Sequence, residues 1–118
     1  VNSTASVALP ESASDSDWRE AAKAALAAHR EKQRESFAAG TGIERLIAAH
    51  RAQIDAIVVS AWQRCLPADA EIALLATGGY GRGELYPQSD IDLLVLAESA
   101  QQKLQEPTLS AFFALLWD

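Results

Sequence analysis

Trp18, Ala22, Ala25, Leu26, His29, Gln33 and Phe37 follow one another at helical spacing, which predicts an amphipathic helix. Asp17-Trp18-Arg19-Glu20 offers an acceptor and a Glu three residues on, a capping pattern that sets its start at Asp17, and Gly40 is placed to end it. Thr41-Gly42-Ile43-Glu44 repeats the pattern, and Ile43, Leu46, Ile47, His50, Ile54, Ile57, Val58, Ala61 and Cys65 mark one face of a second long helix. Pro67 stops it.

Beyond Pro67 the period shortens. Glu71 to Thr77 is a short apolar run between a proline turn and a glycine cluster, the signature of a buried strand, and Asp90 to Leu96 predicts a second. A polar stretch through Gln101 and Gln102 leads to Pro107-Thr108, where Thr108 is placed to cap a last helix carrying Leu109, Phe112, Phe113, Leu115, Leu116 and Trp117. An apolar helix and two strands would leave an unprotected sheet edge, so the natural protein is expected to continue past Asp118. Residues 1 to 16, rich in Ser and Ala with little to bury, read as a flexible tail ahead of a helical region over 17–66 and a sheet-forming region over 67–118.

Totals narrow the function classes. A chain of 118 residues suffices for one compact domain and not for two. The net charge of -6, from 16 acids and 10 bases, repels a polyphosphate chain, so generic nucleic-acid binding is not expected. No apolar run approaches membrane-spanning length and no secretory signal opens the chain. A single cysteine, Cys65, with no metal-type Cys and His spacing, points to a reducing cytoplasm and to a packing role for the thiol. His29 and His50 lie on the apolar stripes with no second ligand in sequence, which makes them packing residues, and Glu31, Arg34, Glu35 and Arg51 are assigned to solvated helix faces.

The chemistry concentrates in GGYGRGELYPQSDIDLL, Gly78 to Leu94. A P-loop needs Lys after its last glycine; Gly78 to Gly83 has the spacing, but Glu84 and Leu85 follow, and a carboxylate there repels phosphate. The dinucleotide fingerprint would need a glycine at 84. What remains is a loop whose backbone amides at Gly78, Gly79, Gly81 and Gly83 can approach a ligand closely, with Arg82 adding a planar donor fork for phosphate oxygens. The plain alternative is a glycine-rich turn between two strands.

Asp90 and Asp92 weigh against that alternative. Separated by one residue at the head of a strand, their carboxylates point to the same face while Ile91 and Leu93 point to the other. Two such carboxylates repel unless a proton or a cation lies between them, and a hard divalent ion, magnesium or manganese, resolves the repulsion. Antiparallel pairing of the two strands would bring the glycine loop beside the aspartates. An acidic site of this kind, with Glu84, Asp90 and Asp92, would hold a nucleoside triphosphate only through bound metal.

At these residues the sequence resembles the nucleotidyltransferase superfamily typified by DNA polymerase beta, and within it the family of PII uridylyltransferase/uridylyl-removing enzymes. The likeness rests on Gly78-Gly79-Tyr80-Gly81-Arg82-Gly83-Glu84-Leu85, Pro87 and Ser89-Asp90-Ile91-Asp92-Leu93-Leu94, and extends back to Ala61-Trp62-Gln63-Arg64. The resemblance implies an α+β fold, a helical amino-terminal region followed by the start of a polymerase-beta-like mixed sheet, incomplete in this fragment. It implies transfer of UMP from UTP to a tyrosine of the PII signal protein, with glutamine as effector through other domains. Asp90 and Asp92 would then be the catalytic magnesium ligands, and Gly78, Gly79, Arg82 and Ser89 would bind the nucleotide, with Glu84 bracing the loop.

The superfamily's third carboxylate, from a later strand, has no counterpart after Asp92, since Asp118 ends a helix; the fragment alone is therefore expected to be inactive or very weak. Uridylyl removal and glutamine sensing belong in the family to downstream domains. Two other assignments stay open: an adenylyltransferase acting on glutamine synthetase, which Gly-Tyr-Gly-Arg-Gly-Glu disfavours, and a nucleotide-sensing or partner-binding module without turnover.

Overall fold

In the computed structural model of the chain, which describes residues 14–83, Leu85 and residues 91–116, Ser14 and not Asp17 opens the first helix. The Ser14 side chain accepts from the Asp17 amide at 3.1 Å, so helix α1 spans Asp15–Ala38 and begins two residues earlier than the spacing predicts. Asp15 and Asp17 thereby fall in the first turn, where carboxylates meet the positive end of the helix dipole. At the other end Gly40 takes φ of 93°, its amide donates to the Phe37 carbonyl and the Thr41 amide to the Ser36 carbonyl. This paired closure is a Schellman motif. Thr41 is tied into this motif through its amide, and the N-cap of helix α2, Ile43–Cys65, is Gly42 with no side-chain cap.

The two helices pack antiparallel. Asp15 meets Arg64 at 2.9 Å, Trp18 Nε1 donates to Ser60 Oγ at 3.0 Å, and His29 stacks on His50 with ring centroids 5.7 Å apart, a series in which one number rises as the other falls. Trp18, Ala22, Ile54, Ile57, Val58 and Ala61 are buried where the helices meet. The predicted stripes overreach at the loop end of the hairpin, where Phe37 and Ile43 are exposed because, among the described residues, no third element covers it.

Strand β1, Ala73–Thr77, pairs antiparallel with β2, Asp92–Leu96, in the register Thr77↔Asp92, Ala76↔Leu93, Leu75↔Leu94, Leu74↔Val95 and Ala73↔Leu96. Opposed residues share a face. Leu74 and Leu93 pack against the core, with Val95 half-buried on the same face, whereas Leu75, Leu94 and Leu96 are exposed on the other. Apart from Thr77 and Asp92 at the site end the strands are apolar, but only one face is covered, a correction to the buried strands predicted from the apolar runs. One helical turn, α3 (Gly78–Gly81), follows β1 directly.

The polar stretch around Gln101 and Gln102 is helical: α4 spans Ser99–Leu104 and α5 spans Glu106–Leu116. Thr108 lies inside the first turn of α5 instead of capping it, donating to the Gln105 carbonyl at 2.8 Å, and Pro107 sits where its missing amide costs no helix bond. Phe112, fully buried, stands edge-on to Trp62 at 5.0 Å and fixes α5 on α2. The result is an α+β arrangement, mostly helical, with a two-stranded antiparallel sheet. Among the described residues no helix is long and apolar enough to cross a membrane.

Candidate functional site

The antiparallel register fixes the site. Because Thr77, the last residue of β1, faces Asp92, the first of β2, the glycine turn that leaves β1 emerges directly beside the Asp92 carboxylate. Gly78 adopts φ of 60°, and a Cβ built on it would stand 2.7 Å from Asp92 Oδ2. Both the left-handed backbone and the contact require glycine there. Gly81 has a different reason: its Cβ would lie 2.6 Å from the Ala76 carbonyl oxygen, so the turn folds back onto its own strand.

Within the turn the Arg82 amide donates to the Gly78 carbonyl and the Gly83 amide to the Tyr80 carbonyl, each at 3.1 Å. The Gly83 amide is therefore engaged, which narrows the four-amide cradle drawn from sequence to Gly78, Gly79 and Gly81. Arg82 and Asp92 are exposed, as a ligand-facing donor and acceptor must be. Asp92 forms no ion pair with another described residue.

Of the residues singled out by sequence, the structure brings Gly78, Gly79, Arg82 and Asp92 to one end of the sheet. Asp90, Ser89 and Glu84 lie outside the described residues. Among the described residues no group of three or more His, Cys, Asp or Glu side chains gathers as a metal cage. Asp92 supplies a hard, exposed oxygen donor of the kind magnesium takes, beside a turn kept free of side-chain bulk.

Two residues of α2, Asp55 and Arg51, belong to this corner without being part of any motif, and both meet the glycine turn. Tyr80, 5% exposed, turns its hydroxyl to Asp55 of α2 and donates a hydrogen bond to Oδ1. Burial, then the Asp55 hydrogen bond and charge, push the phenol far above its ordinary value of 10.0. Arg51, assigned from sequence to a solvated face, places Nη1 3.1 Å from where a Gly83 side chain would begin. The available signal was the one-turn spacing of Arg51 and Asp55 on α2, which cannot by itself say what they face.

His29 and His50 behave as packing residues: half-buried and stacked, both held below the ordinary 6.5, first by burial and then by neighbouring cations. Cys65 is half-buried against the core, and burial pushes its thiol up.

The family model of the nucleotidyltransferase domain matches residues 53–114, a span that begins inside α2, takes in the sheet and the glycine turn, and ends inside α5. Relatives named bifunctional uridylyltransferase/uridylyl-removing enzyme, from Xanthomonas oryzae pv. oryzae and Xanthomonas campestris pv. campestris, are 47% identical over 109 residues, 92% of this chain and 12% of theirs. One from Ectopseudomonas mendocina is 47% identical over 83 residues, 70% of this chain and 9% of its own. The chain therefore spans about an eighth of the length of the Xanthomonas relatives. No solved structure matches.

Proposed function

This chain belongs to the nucleotidyltransferase domain family, and we propose that it forms the nucleotide end of a magnesium-dependent enzyme that transfers UMP from UTP to a tyrosine of the PII signal protein in nitrogen regulation. The observation that carries the proposal is the contact of Gly78 with Asp92: the backbone that would hold phosphate and a carboxylate that would hold metal share one corner, separated by less than a side chain. The names of the 47% identical relatives support the uridylyl group as cargo. The identity of the acceptor rests on the resemblance of the Gly78 to Leu94 motif.

In this site the metal, magnesium or manganese, would supply charge neutralisation of the triphosphate. Asp92, with Asp90, would bind it, and the backbone of Gly78 and Gly79 would orient the phosphates without a side chain in the way. Arg82 and Ser89 would add donors to the nucleotide. The chain's contribution is alignment and electrostatic stabilisation: the α-phosphorus held in line between the attacking phenol oxygen and the departing pyrophosphate. Removal of the uridylyl group and response to glutamine are assigned to parts of the enzyme other than these residues, and so is a third carboxylate. On that basis this stretch by itself is inactive or very weak. Nucleic acid and membrane have no part in the proposal.

The test is transfer of labelled UMP or AMP to purified PII by the full-length protein, with Asp92→Asn and Asp90→Asn beside the wild type. Transfer of UMP that both substitutions abolish is the expected result. Unimpaired transfer by either variant would overturn the metal assignment, and exclusive use of ATP would overturn the uridylyl assignment.

A further inference from the structure

The glycine turn has to keep one conformation although three of its four residues are glycine. Such a segment has the greatest backbone freedom to lose when it is ordered around a ligand. Its only side chain, Tyr80, is nearly all buried, and its hydroxyl reaches Asp55, 25 residues away on α2. A phenylalanine would fill the same space; the hydroxyl is used for the link to the helix. One turn earlier on the same helix, Arg51 lies against Gly83, where the chain takes φ of 76° on leaving the turn. α2 therefore touches the middle and the exit of the turn, while Asp92 touches its entry at Gly78.

We propose that Tyr80 and Asp55 form a latch between the glycine turn and α2, and that both are positioning residues for the nucleoside triphosphate. The proposal rests on the nucleotide-binding assignment above. The latch moves no proton and touches no substrate. It removes, before binding, conformations of Gly78 and Gly79 in which their amides do not converge, so that the ligand need not supply that ordering. The raised Tyr80 phenol keeps its proton at working pH and remains a donor, and the Asp55 carboxylate accepts. The same bond ties α2, the long helix of the hairpin, to the site, which gives that helix a role in activity as well as in packing.

The test uses the full-length protein with Tyr80→Phe, Asp55→Asn and Asp55→Ala, and measures KM for UTP and for PII, melting temperature, and amide hydrogen exchange over residues 78–83. Tyr80→Phe keeps the ring in the core and removes the hydrogen bond; the expected result is a KM for UTP raised by about tenfold, the scale on which residues that orient a ligand-holding group act. PII KM should stay within about twofold and exchange of the 78–83 amides should accelerate. Asp55→Asn leaves a carbonyl that accepts from the phenol and should recover most of the wild-type KM, whereas Asp55→Ala should behave as Tyr80→Phe. Tyr80→Phe with unchanged exchange over 78–83, or with unchanged UTP KM despite a lowered melting temperature, would overturn the latch. If UTP does not bind the wild type at all, the nucleotide assignment fails, and the exchange measurement still decides whether the latch orders the turn.

Discussion

The α1–α2 hairpin and the β1–α3–β2 corner handle their polar groups differently. In the hairpin Trp18 bonds to Ser60 and Arg64 pairs with Asp15, so each of these contacts links one helix to the other. In the corner the Asp92 carboxylate is set against a residue with no side chain, and the neighbouring amides are held by a turn whose own contacts run back to α2 and to β1. Packing accounts for these two hairpin contacts. It does not account for Gly78, whose left-handed backbone a turn between strands can use but whose approach to a carboxylate such a turn does not require. On the proposed function, the difference separates parts of the chain that serve stability from parts that serve a ligand.

Substitutions should respect that division. Phe112→Ala, which empties a fully buried site between α5 and α2, is expected to cost about 3–5 kcal/mol in chemical denaturation, because both transfer and cavity terms apply. Asp92→Asn should do the reverse: a loss of transfer of about 100-fold or more, with a melting temperature unchanged because the side chain is exposed. A large drop in stability from Asp92→Asn would show that the corner is a packing element after all. Gly78→Ala should cross the division, losing about 1–2 kcal/mol to the left-handed backbone and also losing nucleotide affinity, because the new methyl displaces Asp92. Retained affinity in that variant would detach the turn from the carboxylate.

The smallest expected effect lies at the stacked histidines. Both imidazoles titrate below 6.5 in the folded hairpin, through burial first and then through His50, Lys32 and Arg30 around His29 and Arg30 near His50. The unfolded chain binds their protons near 6.5, so between that value and the lower folded values the unfolded state holds more protons. Stability is thus present above 6.5 and is lost as the pH falls through that window. Melting temperatures between pH 7.5 and 5.0 should decline in the wild type and flatten in a protein carrying His29→Gln with His50→Gln. An equal decline in both would place the acid sensitivity elsewhere.

Periodicity revealed α1, α2 and α5 because each buries a continuous stripe, and Trp18, Ile54, Ile57 and Phe112 stand where that stripe predicts. The start of α1 was misplaced because Ser14 and Asp17 are both good caps, and only the structure shows which side chain meets which amide. Burial of the strands was overestimated because an unbroken apolar run cannot show that one face of the sheet lies open. At the site, antiparallel pairing enters the sequence reading as a condition, and the structure supplies it together with the register that joins Gly78 to Asp92. Tyr80, Asp55 and Arg51 are illegible as a group because the Tyr80–Asp55 bond spans 25 residues and the approach of Arg51 to Gly83 is no more local.

The claim that turn and carboxylate form one metal-dependent phosphate site is tested most directly by titrating UTP into the protein calorimetrically, with magnesium and then with EDTA, for the wild type and Asp92→Asn. The expected result is binding that needs magnesium in the wild type and is lost in the variant. Equal affinity with and without magnesium, or magnesium-dependent binding undiminished by Asp92→Asn, would contradict it.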